Sequence, residues 1–154
     1  MVNQRDSVIG PYADWALAAL KALRHNGIRR VPPSRVEIEA IRAQQPIICR
    51  FYFLDGKAKA IGVEPSWTGA DVIKAVADKV GLKSTNGWAI FESTPTSEHF
   101  IRNHEYIGDI LSEWEVEKRT SMETTAYKTL ARKGATAAIG AGDAKFVFRR
   151  RLFL

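Results

Sequence analysis

Apolar and polar positions change rhythm several times along the chain, and each change marks an element. Residues 1–10 carry no periodic pattern and read as a loosely tied lead-in. From Ala13 to His25, Trp15, Leu17, Leu20 and Leu23 fall among alanines at near-helical spacing, and Gly27 supplies a stop. The spacing predicts a helix with a broad apolar face, and Trp15 is assigned to its core side. Val31-Pro32-Pro33 breaks the pattern, because proline disfavours helical geometry in the residue before it. Ser34 then stands as an N-cap with Glu37 three residues on, the spacing of a capping box. Val36, Ile38, Ala40 and Ile41 carry a second helix from Arg35 to Ala43, which Pro46 ends.

The rhythm then shortens. Ile47 to Leu54 is rich in β-branched and aromatic residues, with Cys49, Phe51 and Phe53 on one face of a strand. Asp55-Gly56 is a hairpin turn signal, and Lys57 to Glu64 returns with Ile61 and Val63 inward. Thr68 is placed to cap a helix over Gly69–Val80, whose stripe is Val72, Val76 and Val80 with Ile73 and Ala77 beside it. Gly81 and Leu82 form its C-terminal signature. Gly87–Ser93 predicts a third strand, Thr94–Glu98 a loop and His99–Ile101 a short strand. Ile107, Ile110, Leu111 and Trp114 predict a helix to about Lys118. Residues 119–144 are small, polar and glycine-rich and read as a flexible insertion; Lys145–Leu154 closes as a strand. The expected fold is α+β, a mixed sheet wrapped around one main helix, with the last strand paired to the first.

Composition narrows the class. Apolar residues make up 45 % of the 154, enough for a core, and no apolar run approaches the ~20 residues that span a bilayer. The first residues lack the pattern of a signal peptide. Cys49 is the single cysteine, which excludes a disulfide framework and a cysteine-rich zinc site and favours the reducing cytoplasm.

Val63-Glu64-Pro65, Thr68, Val72, Val76 and Asp78-Lys79-Val80-Gly81-Leu82 together resemble ubiquitin in spacing. That implies a ubiquitin-like β-grasp, without the Gly-Gly tail of a conjugated protein. PPSRVEIEAI before the first strand and FVFRRRLFL at the end resemble the flanks of a FERM domain first lobe. There it follows a myosin tail homology four domain, as in unconventional myosins and plant-type calmodulin-regulated kinesins. EYIGDILSEWE resembles the extra helix of such lobes. The resemblance implies residues 1–45 as the end of the preceding domain and 46–154 as the lobe. It implies a non-catalytic, cytoskeleton-associated module that binds cargo or adaptor peptides, membrane proteins or the cytoskeleton. A Ras-association-type module pairing a sheet edge with a small GTPase is the alternative.

Candidate chemistry adds little to this. His25, His99 and His104 do not fall at metal-pair spacing, and no phosphate-cradling glycine loop is present, so no cofactor is expected. Cys49 reads as inert packing. Glu37/Glu39 and Glu113/Glu115/Glu117 read as solvated helix faces. The net charge of +6 is modest. Arg149 and Arg151 are expected on one face of the last strand and Arg150 on the other; joined by Lys57 and Lys59, they are the candidate surface for an acidic partner or phosphoinositide headgroup. The plainer alternative is that the arginines protect a strand end. Nucleic acid is not expected as a partner, because no run of exposed aromatics beside basic residues is foreseen. Trp67 reads as a cover over the core edge, while Trp15 and Trp114 are assigned to the core.

Overall fold

The computed structural model describes residues 9–126 and 144–152, with backbone alone for 121–126. Its elements are α1 (Ile9–Asn26), α2 (Arg35–Ala43), β1 (Ile47–Tyr52), β2 (Ala58–Val63), α3 (Gly69–Val80), β3 (Trp88–Ser93), β4 (Glu98–Phe100), α4 (Ile107–Ala126) and β5 (Lys145–Arg150).

The local signals explain most boundaries. Gly56, at φ +80°, lets the turn after β1 close, and Phe53 N–H donates to the Lys57 carbonyl at 2.9 Å. The Asp71 carboxylate caps α3 by accepting the Thr68 amide at 2.9 Å and the Thr68 hydroxyl at 3.0 Å. Gly81, at φ +75°, ends α3, and the Leu82 amide reaches back to the Ala77 carbonyl. The helix α2 stops before Pro46: Gln44 already adopts a left-handed φ of +51°.

The five strands form one mixed sheet in the order β2-β1-β5-β3-β4. β1 and β5 run parallel at its centre and every other pairing is antiparallel. The expected α+β ubiquitin-like grasp and the pairing of last strand with first are what the chain forms. Helices α3 and α4 share one face of the sheet. Val72 and Val76 from α3, and Ile107, Ile110 and Leu111 from α4, meet Cys49, Phe51, Ile61 and Val63 there. An aromatic row fills the middle: Phe51 stacks on Phe146 at 5.4 Å, Trp114 lies 4.5 Å from Phe146, and Trp88 stacks on Phe148 at 4.9 Å. Each such side chain contributes on the order of 1.5–3 kcal/mol by leaving water.

Four expectations change. Helix α1 begins at Ile9, yet it buries no residue; Leu17 and Leu20 are 51 % and 63 % exposed and Trp15 is only half-buried, so none of them is core. Helical spacing set its apolar stripe, but among the described residues that stripe faces α2, the segment before it and the loop after β2, not the sheet. Helix α4 runs past Lys118 to Ala126, because Lys118–Ala126 contains no glycine or proline to stop it, so the first part of the expected insertion is helical. The rest of that insertion, residues 127–143, lies outside the described residues, as do residues 1–8 of the lead-in and Phe153–Leu154. Strand β4 is Glu98–Phe100 rather than His99–Ile101, and β1 ends at Tyr52 rather than Leu54. Finally, Glu37 is not on a solvated face: it is 3 % exposed.

Candidate interaction surfaces

The first surface is the junction between the N-terminal helices and the grasp. Arg29, in the segment joining α1 to α2, donates from Nε to Asp109 Oδ1 at 2.8 Å and from Nη1 to Glu37 Oε1. Asp109 stands in the first turn of α4, where a carboxylate is favoured by the helix end. It also accepts the backbone amides of Arg30 at 3.0 Å and Val31 at 3.3 Å. The Arg29 guanidinium lies against Gly108, where an added Cβ would fall 2.9 Å from Nη1. Burial alone would pull the Arg29 pKa down, but its hydrogen bonds to Glu37 and Asp109 outweigh that and hold it above the ordinary value. Around this core, Arg30 pairs with Glu113 at 2.6 Å, the Arg35 amide donates to Glu115 at 2.9 Å, and the Tyr106 hydroxyl donates to the Gly27 carbonyl at 2.7 Å. Ser34 does cap α2, accepting the Glu37 amide at 3.2 Å, but the Glu37 carboxylate does not return the bond; it turns inward to Arg29.

Above the junction lies a cleft of about 450 Å³, walled by Trp15, Ala19 and Leu23 of α1, Ile41 of α2 and Pro65 before α3. Its α1 wall is part of the apolar face that the core does not use.

The second surface is the edge of β2, which pairs with no further strand among the described residues; Lys57 lies beside it in the turn and Lys59 on it. Cross-strand register puts Lys59 opposite Phe51, so it points to the helix-covered side.

The third is the sheet face turned away from α3 and α4. Arg149 and Arg151 project there from the end of β5, on the opposite side from Phe146 and Phe148. Arg150 projects with those two phenylalanines and sits over the Trp88 ring. Arg149 and Arg151 thus share one face and Arg150 takes the other, as strand alternation predicts, and β1 separates β2, with Lys59, from β5. Arg50 and Lys145, which the spacing did not single out, share the open face with Arg149. So do Phe91 and Phe100, half-buried and each carrying a guanidinium: Arg149 at 4.1 Å and Arg151 at 4.6 Å from the ring centroids. Aromatics beside cations are thus present, contrary to the sequence expectation, because β3 and β4 bring Phe91 and Phe100 opposite each other.

Cys49 is 5 % exposed, and burial pushes its thiol from the ordinary 9.0 up to about 12. It is packing, not a nucleophile. Among the described residues no group of three His, Cys, Asp or Glu is placed to hold a metal ion, and no helix is long and apolar enough to cross a membrane.

Residues 45–152, the grasp itself, match the family model described as RA like domain. The chain belongs to the RA-like domain family. Among its relatives is the unconventional myosin heavy chain 6 of Caenorhabditis elegans, 32 % identical over 90 residues. That match covers 58 % of this chain and 4 % of the myosin. The fold is shared with the Dictyostelium discoideum myosin VII MyTH4-FERM MF1 domain, at a TM-score of 0.77 and 24 % identity over 98 % of this chain and 28 % of that one. It is also shared with the human myosin 7b C-terminal MyTH4-FERM domain, solved in complex with the harmonin-a PDZ3 domain, at a TM-score of 0.62 and 22 % identity. That likeness too covers 98 % of this chain and 28 % of the other. This RA-like chain thus spans a small part of each relative, and its N-terminal helices lie within the shared fold.

Proposed function

We propose that this RA-like chain is a non-catalytic protein-binding part of a cytoskeletal motor tail. In this reading residues 1–45 close a myosin-tail-homology segment and 46–154 form a FERM first lobe. The observation that carries it is the junction. Arg29 ties the segment between α1 and α2 to Asp109 of the grasp through a buried charge network, so helices and grasp are built to be used together. The myosin relatives and the likeness to MyTH4-FERM folds across 98 % of the chain support it. Cargo or adaptor peptides are then the partners, and the cytoskeleton the location. Sequencing the full-length transcript tests the motor assignment. A motor-domain reading frame continuous with residue 1 is the expected result, and a transcript that encodes no motor overturns it.

A second reading has its own observation. Among the described residues the outer edge of β2 has no strand partner and carries Lys59, which suits strand addition by a small GTPase. Titration with a GTP-loaded Ras-like protein would then shift amide resonances over residues 57–64. Absence of shifts there removes it.

A further inference from the structure

We propose that the open face of the sheet, on the β5–β3–β4 side, receives an acidic segment of a protein partner. This goes beyond the binding-module reading above and uses a surface distinct from the β2 edge.

Charge complementarity argues for the occupant. Among the described residues, Arg50, Lys145 and Arg149 project from this face, and Glu98 is the one carboxylate beside them. The face already holds one carboxylate, its own: Arg149 Nη2 donates to Glu98 Oε2 at 2.5 Å while the guanidinium lies over the Phe91 ring at 4.1 Å. A ring beneath an arginine holds the planar fork in place and leaves its remaining donors aimed sideways, the geometry that suits a second carboxylate. Lys145 repeats the arrangement over Tyr52 at 5.6 Å. Cations preoriented on rings lose less freedom on binding than cations on free stems.

The same details argue against the other polyanions. Base stacking needs an open ring face, but the guanidinium groups of Arg149 and Arg151 already lie over Phe91 and Phe100. A membrane surface is bound best by long cations free to reach headgroups, whereas the Arg149 side chain is only 22 % exposed and Glu98 sits among the cations. An apolar residue of β1, Ile48, shares the face at 64 % exposure, so a segment with apolar residues beside its carboxylates is the best fit.

The test is fluorescence anisotropy with fluorescein-labelled hexaglutamate and the full chain, supported by amide chemical shifts. Binding is expected at low ionic strength and weakens about tenfold on going to roughly 0.2 M salt. Shifts should fall on Arg50, Phe91, Lys145 and Arg149. Lys145→Glu combined with Arg50→Glu should cut affinity by about tenfold. Glu98→Gln, which removes the resident anion, should raise it several-fold, a gain that a purely structural Arg149–Glu98 pair would not produce. Thermal unfolding of each variant checks the fold. Ala60→Pro at the β2 edge should leave peptide binding unchanged, whereas GTPase binding by strand addition would be lost. No hexaglutamate binding at low salt overturns the proposal. So does loss of binding in the Ala60→Pro variant with the fold intact. Tighter, variant-sensitive binding of a single-stranded oligonucleotide or of phosphatidylserine vesicles overturns the choice of a protein segment.

Discussion

Arg29 shows how much a single side chain decides here. It holds two carboxylates that are 3 % and 6 % exposed, so removing it leaves both buried without a cation. Arg29→Met is expected to destabilise the chain by about 3–5 kcal/mol, measured by urea denaturation, because an uncompensated buried charge costs far more than the pair gains. Glu37→Gln should cost less, since the amide oxygen can still accept from Arg29. Cys49 offers a test in pH. Its folded-state pKa of about 12 stands above the unfolded value near 9.0, so above pH 9 the unfolded chain releases a proton that the folded chain keeps. The contribution is fully present below pH 9 and is lost as pH rises through 12, at about 1.4 kcal/mol per pH unit. The stability of wild type relative to Cys49→Val should therefore be constant below pH 9 and fall above it. A constant difference across that range would contradict the burial of the thiol.

Among the elements, α3 and α4 were the most and least completely foretold. The helix α3 has both ends written locally, with Thr68 and Asp71 at one and Gly81 at the other, and its span is the expected one. Its close seat against the loop after β4 was not written in that way. A Cβ on Gly69 would fall 2.5 Å from the Arg102 carbonyl oxygen, and that oxygen is backbone. Gly69→Ala is expected to destabilise by roughly 1–3 kcal/mol despite alanine's better helix propensity. A stabilised variant in thermal unfolding would count against the close approach. In α4 the helical pattern is clear only to Trp114. Beyond it, polar residues continue the helix without an apolar stripe, and nothing in the periodicity marked Ala126 as its end.

At the scale of the whole molecule, stability is unevenly spread. Helix α1 buries no residue, whereas the segment after it is tied to α4 by Arg29, Arg30 and Val31. Hydrogen exchange should separate them, with amides in the first half of α1 exchanging far faster than those of α2 and the central strands. Equal protection would mean that α1 is held by contacts beyond those described.

The sequence alone determined the grasp. Period-two strands, the Asp55-Gly56 turn, the valine stripe and the caps are local, and the burial they dictate leaves one economical sheet. It could not determine the surfaces. Ser34 and Glu37 have capping-box spacing whether Glu37 turns back or inward, and inward wins only because Arg29 meets Asp109 from 80 positions away. Lys57, Lys59, Arg149, Arg150 and Arg151 read as one basic group along the chain. Alternation along β5 already puts Arg150 on the other face from Arg149 and Arg151, but strand order sets β1 between Lys59 and β5 and brings Arg50, Phe91 and Phe100 onto the face of Arg149 instead. Elements follow from neighbours in sequence, whereas charge networks and faces follow from which strands and helices come to lie side by side, and only the tertiary structure decides that.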